Sequence, residues 1–426
     1  MSASQNGAAL TAEGIQRLHE VAQRSVDGGQ VPGLVALVAR GEQVHTDALG
    51  TMAVSGPPVA RDSIFRISSD TKPITAAVTL ALAAEGLLDI DEPVDRLLPE
   101  LAGRRVLRRM DGPLGDTVPA NRAVTTRDLL TFTFGFGLAV EMFSSPEPWP
   151  VMAAASELKL GTPMPADAGA QPDPDTWIAR FGTLPLLAQP GERWFYDTSA
   201  SVLGVLAARA AGQPFGDVLR TRLFEPLGMR DTAFWTPHTD RLMTAYRLAP
   251  DGSGALTAWD PPDGSWSRPP AFEDGAAGLV STAGDLLAFS RMLLRGGAPV
   301  LPAESVRAMT TDQLTPEQKA RGGLGPGLFQ GPLVGLRPGR ARQRGLRLGR
   351  RLRQHLAYGP EPGSDRHRAH PAHVRVRRAP GPARRLPGRR LRRPRLNPGL
   401  RLTGCGLIQP EQDGRRKRQK NTIWPL

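Results

Sequence analysis

Ser69-Asp70-Thr71-Lys72 opens a helix-like run from Pro73 to Leu88 and sets a hydroxyl and an amine three positions apart. Residues at that spacing on a helix share a face, and a serine hydroxyl becomes a useful nucleophile once a neighbouring base takes its proton. The spacing therefore points to acyl transfer. The bland alternative is a serine that caps the helix and a solvated lysine in the first turn. A cation at a helix N-terminus opposes the macrodipole, which counts against that alternative. The chain is otherwise arginine-rich and holds only five lysines (Lys72, Lys159, Lys319, Lys417 and Lys420), so chance supplies roughly 0.3 such matches. Lysine, unlike arginine, can surrender its proton when desolvated.

The surrounding segment Asp62-Ser63-Ile64-Phe65-Arg66-Ile67-Ser68-Ser69-Asp70-Thr71-Lys72-Pro73-Ile74-Thr75 resembles the nucleophile segment of serine β-lactamases, penicillin-binding proteins and their esterase relatives. The resemblance is strongest to class C-like enzymes and family VIII carboxylesterases. It continues in Thr125-Thr126-Arg127-Asp128-Leu129-Leu130-Thr131-Phe132-Thr133, Pro190-Gly191-Glu192-Arg193-Trp194-Phe195-Tyr196, Phe224-Glu225-Pro226-Leu227-Gly228-Met229 and Gly278-Leu279-Val280-Ser281-Thr282. These blocks keep the family's order from about residue 31 to about 300. What the resemblance implies is an α+β, β-lactamase/transpeptidase-like fold: an antiparallel sheet flanked by helices, with an inserted helical domain.

The resemblance also supplies candidate partners for Ser69 and Lys72. The family's Tyr-x-Asn tyrosine falls on Tyr196, in Tyr196-Asp197-Thr198, where threonine stands in the asparagine's place. An ordinary phenol ionises near pH 10 and serves as a base when a cation stabilises its phenolate, a task open to Lys72; lysine as the base itself stays equally open. Thr198 is a supporting candidate, either bonded to Lys72 as the asparagine would be or capping the next helix. The family's second oxyanion donor sits on a carboxy-terminal strand beside a Lys-Thr-Gly type motif. The nearest match, Leu402-Thr403-Gly404, lies among arginines without a strand pattern. Losing one such donor typically costs about 3 kcal/mol in the transition state.

The formal net charge of +13 suggests a nucleic-acid or membrane partner until its location is read. From Arg337 to Leu426 there are 26 Lys and Arg against 4 Asp and Glu, whereas residues 1–336 carry 28 against 37. The body is acidic and the tail alone makes the chain basic. Strings such as Arg384-Arg385-Leu386-Pro387-Gly388-Arg389-Arg390 show neither alternation nor a helical stripe. Three readings stand: a disordered segment, a phosphate-binding arm, or the product of a shifted reading frame in a GC-rich gene. Cys405 stands alone, so no intrachain disulfide forms. The amino terminus shows no secretory pattern and no apolar run is long enough to span a bilayer, so the expectation is a cytoplasmic chain that does not associate with membranes.

The periodicity predicts an amphipathic helix over Thr11–Asp27, strands over Gly33–Ala39 and Val44–Gly50, the nucleophile helix to about Gly86, a helix after Tyr196 and another over Val280–Leu294. A long polar connection is expected over Pro163–Pro174. The organisation reads as 1–125, the first part of a sheet-and-helix hydrolase domain; 126–270, helix-rich; 271–336, a return to the hydrolase domain; and 337–426, the basic tail, with the remaining strands due after residue 325. Asp89 and Asp91 read as a turn. His19, His45 and His238 read as structural, and His355, His367, His370 and His373 lack zinc-like spacing. No cofactor or metal is implied.

The expectation is a serine hydrolase acting through an acyl-enzyme on a small-molecule ester or amide, foremost a short-chain carboxylesterase, with β-lactam or D-amino-acid peptide hydrolysis as neighbouring activities. Its rival is a catalytically impaired relative, or a non-enzymatic protein binding nucleic acid through its tail.

Overall fold

The computed structural model describes residues 9–161, 168–249 and 254–322, with the backbone of 346–347 and 357–358. Helix α1 (Ala12–Asp27) starts where the Thr11 hydroxyl accepts from the Gly14 N–H. Its apolar stripe leans on a hairpin of β1 (Gly33–Arg40) and β2 (Gln43–Gly50), antiparallel from Gly33↔Gly50 to Arg40↔Gln43. Both strands and the helix lie within a residue of expectation. The chain then runs through β3 (Phe65–Arg66) into α2 (Thr71–Ala84).

Alanine and leucine make α2 apolar all round, and Ile74, Ala76, Ala77, Val78 and Leu82 have no exposed surface. A helix of that kind belongs in a core rather than on a surface. It ends earlier than the pattern suggests: Gly86, at φ +76°, closes it by donating to Ala83, while Leu87 donates to Leu82. It also starts earlier, at Thr71, and a 3-10 turn over Ser68–Asp70 precedes it. Ser69 therefore sits on the entry turn rather than within the helix.

Beyond it come β4 (Arg105–Leu107) paired with β5 (Thr117–Pro119), α3 (Thr126–Leu130), α4 (Pro150–Glu157), α5 (Pro174–Gly182) and α6 (Thr198–Ala211). Then follow α7 (Phe215–Leu219), a π-helical turn over Arg220–Phe224, α8 (Glu225–Leu227), and β6 (Ala245–Leu248) paired with β7 (Leu256–Asp260). Of the expected polar connection 163–174, residues 163–167 fall outside the described residues, and Pro174 already opens α5. Asp89 and Asp91 form the expected turn, Asp91 N–H donating to Asp89 Oδ1 at 2.8 Å, and Asp91 also pairs with Arg127.

The helix expected over Val280–Leu294 is corrected. Val280 and Ser281 form β8, antiparallel to β3 through Phe65↔Ser281 and Arg66↔Val280, and α9 (Ala283–Leu294) begins only after Thr282, whose hydroxyl caps it. The β3 backbone needs a partner for its ladder, and that need outweighs the helical period read across residues 280–282. Helices α10 (Ala303–Thr310) and α11 (Pro316–Arg321) follow.

Among the described residues each sheet has two strands. Within 337–426, β9 (Leu346–Arg347) pairs with β10 (Ala357–Tyr358), although no strand pattern is readable there; the rest of the basic tail lies outside the described residues. No described helix is long and apolar enough to cross a membrane.

The core places α2 against α6, whose residues from Ser199 to Ala207 are all buried. Between them passes Gly275: a Cβ there would lie 2.4 Å from the Ala200 carbonyl oxygen and 3.1 Å from Thr75 Cγ2. Gly137 plays the same part beside Tyr196. It holds φ +142°, and its Cβ would meet the Tyr196 carbonyl oxygen at 2.3 Å. Gly137→Ala is expected to cost about 1–3 kcal/mol through clash and backbone strain. Urea unfolding checks this, and an unchanged midpoint would contradict it.

Candidate active site

Three stretches meet at Ser69. The first is its own turn, where Ser68 adopts φ +44° between β3 and α2, a conformation costly for a residue with a side chain. Ile67 N–H donates to Leu279 O at 3.0 Å and Leu279 N–H donates to Thr71 Oγ1 at 3.3 Å, so both sides of the turn are fastened to Leu279, the residue before β8. Among the described residues the Ser69 N–H has no acceptor, which leaves it available to a substrate oxygen.

The second stretch carries Tyr196. Its backbone exchanges hydrogen bonds with Leu138 at 2.8 and 3.0 Å, and Phe195 N–H donates to Phe132 O. The Thr125–Thr133 block is the abutment for this segment. Asp128 forms a capping box with Thr125 and takes both Arg122 nitrogens at 2.5 and 2.8 Å, while Phe132 stacks on Trp194. The Tyr196 hydroxyl lies 2.7 Å from Ser69 Oγ.

The third stretch, residues 274–279, turns its backbone toward Lys72. The lysine is 1% exposed, and its ammonium has three partners: Ser69 Oγ at 3.2 Å, Ala276 O at 2.8 Å and Asp197 Oδ1 at 2.7 Å. Its Nζ also stands 4.8 Å from the Tyr196 ring centre. Burial acts to push its pKa down, but Asp197, Tyr196 and Asp274 outweigh burial and hold it above the usual lysine range.

The structure thus brings Tyr196, 127 residues away along the chain, to Ser69 and Lys72. Thr198 is placed differently: it is the first residue of α6, and the carboxylate on the ammonium is that of Asp197. Asp197 stands at φ +83°, ψ −74°, with Thr198 N–H donating back to Tyr196 O at 3.3 Å. That is a γ-turn, a strained geometry for a residue with a side chain. Sequence reasoning passed over Asp197, although a carboxylate beside the tyrosine, where the usual amide is missing, was a readable signal.

It also passed over Asp274, which accepts from Ser201 Oγ at 2.7 Å and from the Ala276 N–H at 2.9 Å. Burial, then Asp197, push the Asp274 carboxyl up, and those hydrogen bonds pull it back. An acidic residue in the apolar run Asp274–Val280 was its only trace.

Among the described residues no cluster of His, Cys, Asp and Glu could hold a metal ion. His19 and His45 flank Asp47 at 3.5 and 3.1 Å on the first helix and hairpin. Leu402-Thr403-Gly404 and the four histidines from His355 to His373 lie outside the described residues, as does most of the stretch after residue 325 where the remaining strands were expected.

A strained turn thus presents the Ser69 hydroxyl to a phenol and a buried ammonium. The chain belongs to the beta-lactamase family, whose model matches residues 18–356, and it has the β-lactamase/transpeptidase-like α+β fold. Protein Rv1367c of Mycobacterium tuberculosis is 37% identical over 318 residues, 73% of this chain and 75% of the relative. Esterase EstB of Burkholderia gladioli is 31% identical over 323 residues, 72% and 76% of the two chains. Among solved structures, EstCE1, a hydrolase with promiscuous acyltransferase activity, superposes with a TM-score of 0.59 at 25% identity, covering 73% of this chain and 80% of that one.

Two outcomes follow for stability. Lys72→Met would leave Asp197 and Asp274 without their cation, and is expected to cost about 3–5 kcal/mol by urea unfolding; a loss under 1 kcal/mol would refute the pairing. Asp70, half-buried before Lys72, has its carboxyl pushed from 3.8 up to about 6 by burial, against the pull of Lys72. The folded chain therefore holds that proton more tightly than the unfolded chain. The resulting stability is present below pH 4 and is lost as pH rises through 6. Asp70→Asn is expected to flatten the fall in stability between those values, seen as a smaller change in urea midpoint.

Proposed function

We propose that the protein is a serine hydrolase of short-chain carboxylic esters working through an acyl-enzyme. The observation carrying this reading is the contact of Ser69 Oγ with Tyr196 at 2.7 Å and with Lys72 at 3.2 Å. Ester rather than β-lactam or peptide chemistry is favoured by the likeness to EstB.

Ser69 Oγ attacks the ester carbonyl carbon and its proton passes to the Tyr196 phenolate oxygen. Lys72 is the poorer acceptor, because the charges around it hold it as an ammonium, which has no lone pair to receive a proton. The cation instead stands 4.8 Å from the Tyr196 ring centre, close enough to offset negative charge on the phenol during the reaction. The carbonyl oxygen, now negative, takes the Ser69 N–H as a donor. The tetrahedral species collapses, the Tyr196 proton goes to the departing alkoxide, and the acyl group stays on Oγ. Water then attacks, giving its proton to Tyr196, and breaking the acyl–Oγ bond returns that proton to Ser69 and frees the acid.

p-Nitrophenyl acetate turnover and fluorophosphonate labelling test this. Ser69→Ala is expected to abolish both, and Tyr196→Phe to lower kcat/KM by about 10²–10⁴-fold. Equal turnover by wild type and Ser69→Ala would end the reading.

A further inference from the structure

Asp197 lies in no part of the catalytic cycle just described, yet it makes the shortest of the three contacts to Lys72 and occupies a strained γ-turn to do so. Strain of that kind costs of order 1–3 kcal/mol and persists where the surroundings enforce it. Here they do. The Tyr196 carbonyl is held by Leu138 and Thr198, and α6 starts at the next residue, buried from Ser199 onward. The side chain is 16% exposed, so the pair is only lightly screened by solvent.

We infer that Asp197 is a positioning residue that acts by charge: its carboxylate keeps Lys72 an ammonium with every N–H directed, so that the lysine orients Ser69 and steadies the phenolate rather than taking the proton. This assigns the role of Lys72 within the esterase reading and rests on that reading only for its kinetic consequence.

Geometry supports charge over simple tethering. A neutral Lys72 could turn a lone pair to the Ser69 hydroxyl, but it would leave the Asp197 carboxylate at 2.7 Å without its countercharge in a lightly solvated site. The groups facing Nζ are Asp70 from the turn before α2, Tyr196 and Asp197 from the loop before α6, and Asp274 from the segment after Phe272. Asp274 is already engaged by Ser201 and the Ala276 N–H, and Asp70 has no hydrogen bond to the amine. Asp197 is the carboxylate in direct contact.

Asp197→Asn separates the two roles. An amide oxygen preserves an acceptor at the same place and asparagine tolerates positive φ, so tethering survives while the charge is lost. The direct readout is the Lys72 ammonium in protein carrying ¹⁵N-labelled lysine, its resonance identified by absence in Lys72→Met. In wild type the ammonium is expected to persist to the alkaline limit of folding. In Asp197→Asn it is expected to titrate about 1–3 pH units lower.

The alkaline limb of kcat/KM for p-nitrophenyl acetate should move down with it, leaving KM nearly unchanged at pH 7. An Asp197→Asn ammonium that titrates as wild type does, or an alkaline limb that stays in place, overturns the inference. Asp197→Ser, carrying a neutral hydroxyl, is expected to shift both in the same direction, and guards against a folding defect peculiar to asparagine. Should wild type neither turn over ester nor accept fluorophosphonate, the esterase reading fails while the resonance still decides whether Asp197 sets the charge of Lys72.

Discussion

One buried ammonium organises this molecule. Lys72 emerges from the first turn of a helix with almost no solvent contact, where a charge survives only if it is paired and fully hydrogen-bonded. Satisfying it draws in a backbone carbonyl from residue 276, a carboxylate from residue 197 and the hydroxyl of Ser69. Three separate stretches must therefore converge on one nitrogen. The remainder of the core holds them there: Gly275 wedged between α2 and α6, Leu279 tied to both sides of the Ser69 turn, and the Thr125–Thr133 block bracing the tyrosine loop.

The same convergence explains the uneven legibility of the sequence. Local signals were readable because their causes are local: the stripe of α1, the two strands of the hairpin, the largely apolar α2 and the helix following Tyr196 each depend on neighbours in the chain. The misreadings arose where a distant partner decides. Val280 and Ser281 fit a helical period, yet β3 claims them as a strand. Helix α2 starts two residues ahead of Pro73, after a turn at Ser68 whose conformation the sequence does not announce.

The candidate site shows a parallel division. Ser69 and Lys72 announced themselves by spacing, and Tyr196 by the block before it. Asp197 did not, because its reach to the lysine depends on a γ-turn rather than on helical or strand periodicity. Threonine in the family's asparagine position looked like the substitute for the amide. The carboxylate one residue earlier is what meets the ammonium, since reversing φ at residue 197 swings that side chain inward.

Gly275 carries an implication for how such a protein can diversify. With the Ala200 carbonyl oxygen on one side and Thr75 on the other, that position admits no side chain, and the distance between the two central helices is set by bare peptide. The floor beneath the nucleophile is thus frozen by sterics. Any broadening of specificity over evolutionary time has to be sought in the walls and rim, where residues can enlarge or shrink without prising the helices apart.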